Sequence, residues 1–254
     1  MRCLHTSDWH LGRLFHGASL LEEQAAAMDR IVALAREAEV DAVLIAGDLY
    51  DRAIPPAEAV QLFNDTLARL SQDGTAVVAI AGNHDSHVRV SVYDSLLSGF
   101  GVTIRGDVRR CAEPVLVTPR RGGSVVAIYP LPYLDPAVDG AALLSLPDDA
   151  SGASGGAGAE PTSAVDSAAA PGSRISHQQV SERALARIHA DRRRRPQQQA
   201  ILVAHTYVAG GEGCESEREL TIGNLDRVRV DTFAGFEYVA LGHLHGSLQL
   251  DGAR

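Results

Sequence analysis

Val43-Leu44-Ile45-Ala46-Gly47-Asp48-Leu49-Tyr50-Asp51 is a short apolar run rich in β-formers, halted by glycine and then by a carboxylate. Such a run predicts a buried parallel strand whose C-terminal end presents Asp48 into a crevice. The pattern recurs along the chain. Cys3 to Ser7 runs into Asp8-Trp9-His10, and Ala76 to Ala81 into Gly82-Asn83-His84-Asp85. Ala200 to Ala204 leads to His205, and Tyr238 to Leu241 leads to Gly242-His243-Leu244-His245. Five apolar strands each end in residues of the kind that bind metals. Strand alternation alone does not produce that.

Between these strands the spacing predicts helices over residues 19–38, about 57–70 and about 90–98, so the first hundred residues alternate strand and helix. That implies a parallel sheet with right-handed crossovers. After residue 100 the pattern changes to short strands at 102–105, 114–118 and 124–129. Residues 139–173 are mostly Ala, Gly, Ser, Asp and Pro, too poor in apolar surface to offset their ordering entropy, and are expected to form a disordered surface insert. A polar helix at about 177–191 ends in Arg192-Arg193-Arg194-Arg195-Pro196, read as a solvated helix end and not a nucleic-acid grip.

With 254 residues and 45% hydrophobic content, the chain can bury a substantial core. No apolar run approaches the ~18 residues needed to span a bilayer, so no membrane association is expected. No signal peptide is visible, and three separated cysteines (Cys3, Cys111, Cys214) make neither a disulfide framework nor a Cys-x-x-Cys site. A reducing, cytoplasmic location fits. The net charge of −9 argues against a broad basic surface for nucleic acid, although bound cations would add local positive charge.

The strand-end residues are Asp8, His10, Asp48, Asn83, His84, His205, His243 and His245. Imidazoles mixed with carboxylates and one amide oxygen suit manganese, iron or zinc better than calcium. There are too many ligands for one ion, and Asp48 lies midway in the series, so a carboxylate bridging two ions is the economical arrangement. One ion would take Asp8, His10, Asp48 and His245, and the other Asp48, Asn83, His205 and His243. Such a pair suits attack on phosphorus by a bridging hydroxide. His84 is left over, followed by Asp85. A histidine oriented by a carboxylate can stabilise transition-state charge or protonate a leaving group, which makes His84 and Asp85 the catalytic candidates. His5, His16, His87, His177 and His189 are read as core or surface residues.

These motifs, in this order, resemble the calcineurin-like metallophosphoesterases. More narrowly, Met1 to Gly12, Gly47 to Asp51, Ala81 to Ser86, Ser216 to Leu220 and Phe233 to His245 are similar to the SbcD family of bacterial nuclease subunits. The resemblance implies an α/β, four-layer fold of two facing mixed β-sheets flanked by helices. It also implies a manganese-dependent DNA nuclease, a 3′ to 5′ exonuclease on duplex ends and an endonuclease on hairpins and single strands. DNA and a coiled-coil ATPase of the SbcC type are the implied partners, and a homodimer is a further expectation. Asp51 stands where some relatives carry an active-site histidine and is assigned no catalytic role. The chain stops just past the last motif. It is therefore expected to be a single nuclease domain (1–254) without the family's DNA-contacting cap and SbcC-binding segments. Two rival readings are another metallophosphoesterase, acting on monoesters or cyclic nucleotides, and a metal-binding scaffold without catalysis.

Overall fold

The computed structural model describes residues 1–92, 94–145, 175–209 and 227–244. Strands β1 (Cys3–Thr6), β4 (Ala42–Ile45), β5 (Ala76–Ile80) and β6 (Val102–Arg105) form one fully parallel sheet in that order. A hairpin of β2 (Leu14–Phe15) and β3 (Ala18–Ser19) lies between β1 and the first helix. The second four-stranded sheet has the order β12 (Tyr238–Gly242), β9 (Gln199–His205), β8 (Val126–Leu131), β7 (Val115–Val117). Its β7–β8 pair is antiparallel and the rest parallel, so the sheet is mixed. Short strands β10 (Val208–Ala209) and β11 (Val228–Arg229) pair beside it.

Three apolar clusters stack these elements into four layers. Leu44, Ala46, Val78 and Ile80 of the first sheet meet Val126, Ile128, Ile201 and Val203 of the second. The other face of the first sheet is covered by α1 (Leu21–Glu37) and α2 (Ala57–Ser71) through Met28, Val32, Phe63 and Leu67. The other face of the second is covered by α5 (Pro136–Leu144) and α6 (His177–Arg193) through Leu143, Val180, Leu185 and Ile188. Layers on both faces explain why β4 and β8 read as unbroken apolar runs, since every residue in them is buried. The fold is the expected α/β arrangement of facing sheets flanked by helices.

Helices α1, α2 and α6 fall close to the sequence reading. Ser176 and Gln179 start α6 with reciprocal side-chain and backbone hydrogen bonds, at 3.2 and 3.0 Å. The helix expected over 90–98 is a correction. It breaks into α3 (His87–Val90), α4 (Asp94–Leu97) and a 3₁₀ turn at Ser98–Phe100. Ser91 Oγ donates back to the His87 carbonyl at 2.6 Å, a local bond that competes with helix continuation. The first residues assigned to the insert, 139–144, are helical instead. Asp135 caps α5 through Ala137 N–H at 2.8 Å, Pro136 opens it, and Leu143 is buried, so 139–144 is helical. The remainder of that segment, 146–173, lies outside the described residues. Among the described residues, no helix is long and apolar enough to cross a membrane.

Candidate metal centre

The C-terminal ends of β1, β4, β5, β9 and β12 converge, bringing Asp8 and His10, Asp48, Asn83 and His84, His205, and His243 to one end of the two sheets. The loops after β1 and β4 are laced together by backbone bonds: Asp8 N–H to Gly47 O (3.0 Å), His10 N–H to Asp48 O (3.0 Å) and Leu11 N–H to Leu49 O (3.1 Å). Asp8, His10, Asp48 and His243 all have positive φ, at 56°, 44°, 49° and 92°. Left-handed backbone costs a non-glycine residue on the order of 1–3 kcal/mol and concentrates where geometry serves a function. Here it falls on four of the eight described candidate residues of the site.

Close approach at the centre depends on glycine. A Cβ on Gly82 would overlap the Asp48 backbone N and carboxylate, and one on Gly242 would overlap the Ala46 carbonyl oxygen. Both are places where only a missing side chain lets two strand ends come together.

Asp48 is the hub. It is 2% exposed, and its Oδ2 lies 3.5 Å from His205 Nε2, 3.7 Å from His10 Nε2 and 3.9 Å from His84 Nε2. Its Oδ1 accepts the His84 backbone N–H at 2.9 Å. One ligand atom from each of Asp8, Asp48 and His205 falls within a 4.8 Å group, and so does one from each of His10, Asp48 and His84. Two candidate cation positions therefore share the Asp48 carboxylate, the sharing expected of a bridging ligand. Asn83 Oδ1 closes one side, 2.9 Å from His205 Nε2 and 3.0 Å from His243 Nδ1. The Asp8 carboxylate accepts the His243 backbone N–H, at 3.2 and 3.1 Å to its two oxygens.

The titration of this cluster follows from burial and crowding. Burial alone would lower the His205 pKa, but the negative charges of Asp48 and Asp8 and the bonds to Asp48 and Ala46 lift it to about 9. Burial would raise Asp48, yet the charge and hydrogen bonds of His205, with the His84 N–H, hold its carboxyl well below the usual range. Asp8 is shifted upward, chiefly by burial, against the opposing pull of His205. His205 Nδ1–H donates to Ala46 O at 2.7 Å, so Nε2 is the nitrogen facing the carboxylates. A proton on Nε2 thus occupies the direction in which a cation would bind. Two carboxylates, imidazoles with oriented ring nitrogens and one amide oxygen fit a pair of divalent transition-metal ions.

The structure changes the reading of several residues. Asp85 was expected to orient His84, but its carboxylate accepts three backbone N–H bonds, from Gly82 (2.8 Å), Leu49 (3.0 Å) and Tyr50 (2.9 Å). It pins the β4 and β5 loops together. The His84 ring is oriented instead by Asp51, whose backbone oxygen accepts from Nδ1–H at 2.9 Å. His84, left over from the two expected ligand sets, sits edge-on to His10 with ring centroids 4.7 Å apart. The Asp51 carboxylate lies 3.9 Å from His10 Nδ1, so Asp51 faces both histidines. Gln24 of α1 has no counterpart in the sequence reading. Its amide donates to the carbonyls of Trp9 (3.2 Å) and His10 (2.7 Å) and accepts from Gly12 N–H (3.0 Å), bracing the loop that carries His10. A glutamine on an amphipathic helix gives no signal of that role.

His245 and Ser216-Glu217-Arg218 lie outside the described residues. In the arginine run, Arg192 bonds to the Gly235 carbonyl and packs over Phe236 at 4.8 Å, while Arg195 bonds Asp191 at 2.9 Å, so both side chains are engaged within the chain.

A family model described as calcineurin-like phosphoesterase matches residues 1–247. The chain is 33% identical over 256 residues to the SbcD subunit of nuclease SbcCD from Bacillus subtilis (strain 168), an alignment covering 100% of this chain and 59% of that protein. It is 32% identical over 257 residues to the protein of the same name from Staphylococcus saprophyticus, covering 99% of this chain and 58% of the relative. The chain therefore spans somewhat under three-fifths of the length of these relatives.

Proposed function

Because the chain belongs to the calcineurin-like phosphoesterase family, we propose that it is a metal-dependent phosphodiesterase acting on DNA. The observation that carries this is the Asp48 carboxylate shared by two groups of ligand atoms at the joined ends of the two sheets. Held between Asp8, His10, Asp48, Asn83, His205, His243 and His245, two divalent cations, manganese by preference, would neutralise phosphate charge and acidify a water. The chain's own groups do the rest. Asp48, kept ionised by its neighbours, supplies the shared negative charge. Asn83, 2.9 and 3.0 Å from the two imidazoles, fixes the spacing of His205 and His243. His84 has its Nδ1–H committed to Asp51 O, which leaves Nε2, 3.9 Å from Asp48 Oδ2, at the border of the cation positions, where it would hold the proton for the leaving oxygen if the other ligands keep the ion. Asp85 acts by holding the Gly82 turn in place.

Similarity over the whole chain to relatives named as SbcD subunits of nuclease SbcCD supports a nuclease over a monoesterase, a cyclic-nucleotide phosphodiesterase or an inert scaffold. On this reading the substrates are duplex ends, attacked 3′ to 5′, together with hairpins and single strands. The partner is an SbcC-type ATPase. A homodimer is supported by the large apolar side chains left exposed on and beside α3, α4 and the turn after them: Val88, Val92, Leu96 and Phe100 are 79%, 61%, 67% and 79% exposed. The test is a comparison of matched aryl phosphate diester and monoester substrates in manganese. Preference for the diester supports the reading, and a strong monoester preference would sink it.

A further inference from the structure

His5 lies in β1, an edge strand of the first sheet, and faces β12, an edge strand of the second. The two strands belong to different sheets, and no ladder joins them among the described residues. Both nitrogens of the His5 ring span the gap: Nε2 lies 3.1 Å from the Leu241 carbonyl oxygen and Nδ1 lies 3.0 Å from the Tyr238 hydroxyl. A carbonyl only accepts, so Nε2 carries the hydrogen and Nδ1 takes the hydroxyl proton. The Tyr238 ring stands edge-on to the imidazole at 6.0 Å and 80°, which seats it in that orientation. Three residues after His5 comes Asp8, and two after Leu241 comes His243, whose backbone N–H bonds to that Asp8 carboxylate. The strap and the metal centre are thus successive contacts between the same two strands.

We propose that His5 is a positioning residue that sets the register of β12 against β1, and so the distance between the ligands contributed by the two sheets. Asp8 and Asp48 come from the first sheet, and His205 and His243 from the second. Pairing within each sheet fixes each set internally. It does not fix one set against the other. The apolar cluster between the sheets is non-directional, so their alignment rests on directional bonds, His205 Nδ1–H to Ala46 O (2.7 Å) at the centre and the two bonds of His5 at the strand edges. The His5 bonds are directional and touch β12 close to the site. This rests on the two-ion reading of the centre.

The test is manganese binding to the metal-free chain, followed by electron paramagnetic resonance of the free ion. The variants are His5→Phe, which keeps a ring but no polar atoms, and Tyr238→Phe, which removes only the hydroxyl. Leu185→Ala, in α6 behind the second sheet, serves as a control for general destabilisation. His5→Phe is expected to bind manganese about tenfold more weakly, in line with the loss on removing groups that orient metal ligands. Tyr238→Phe should weaken it about threefold, and Leu185→Ala should lower Tm with affinity unchanged. Wild-type affinity in folded His5→Phe, or an equal loss in Leu185→Ala, overturns the assignment. If His5→Phe does not fold, wild-type affinity in Tyr238→Phe overturns it. A wild-type chain that binds no manganese overturns the metal reading and this inference with it. Normal binding by both wild type and His5→Phe overturns the inference alone.

Discussion

Raising the pH should destabilise the metal-free chain through one residue, His205. It is fully buried, and its pKa stands at about 9 in the folded chain against 6.5 for an ordinary histidine. Below pH 6.5 folded and unfolded chains both hold the proton, and the stabilisation from the Asp48 and Asp8 charges is present in full. Between pH 6.5 and 9 only the folded chain holds it, so stability falls as pH rises and is lost above pH 9. A shift of this size corresponds to roughly 3 kcal/mol at full expression. For a domain of this length that is a decrease in Tm of about 6–12 °C. The assay is thermal unfolding in chelator across pH 6 to 9.5, for wild type and His205→Asn. The decline is expected in wild type and should vanish in His205→Asn. Saturating manganese should also remove it, because the bound ion displaces the proton. A metal-free Tm that stays level or climbs from pH 6.5 to 9, or an equal decline in His205→Asn, would refute the reasoning.

Gly82→Ala forces a methyl group into the Asp48 backbone, so manganese binding should be abolished and Tm lowered, as measured by titration and calorimetry. Asp85→Asn loses one anionic acceptor from a buried site with three backbone donors and should destabilise the chain by about 2–4 kcal/mol in urea unfolding, with two-ion stoichiometry retained in the folded fraction. Gln24→Glu can no longer donate to the Trp9 and His10 carbonyls, and manganese affinity should fall about tenfold with little change in helix content by circular dichroism. Leu96→Glu, at an exposed apolar position of α4, should move a dimer to the monomer position in sedimentation without altering metal affinity.

The strands that carry the site were legible because burial on both faces forces continuous apolar runs, and each run stops where a ligand begins. Asp48 sits at the end of a strand buried at every residue, and the sequence shows that boundary as Ile45-Ala46-Gly47-Asp48. The division of labour around it was less legible. Asp85 follows His84 in sequence and looks like its partner, but a side chain after a tight turn points where the turn sends it, here onto three backbone N–H groups. Asp51 and Gln24 reach the site through a backbone oxygen and a side-chain amide, contacts that depend on tertiary packing and leave no periodic trace. The break between α3 and α4 was missed because Ser91 bonding back to its own helix is a local competition that apolar spacing does not record. His5 looked like a core residue. Its second role appears only when the edges of two sheets, with Tyr238 233 residues further along the chain, are laid against each other.

The most direct measurement is cleavage of an end-labelled single-stranded oligonucleotide by this chain in manganese, beside Asp48→Ala. Asp48 is the carboxylate common to both ligand groups, so its removal dismantles both cation positions while leaving the strand ends in place. Cleavage by the wild-type chain that disappears in Asp48→Ala is the expected result. A folded, manganese-loaded wild-type chain that leaves the strand intact, or an Asp48→Ala variant that still cuts, would contradict the assignment of a two-metal nuclease centre to these residues.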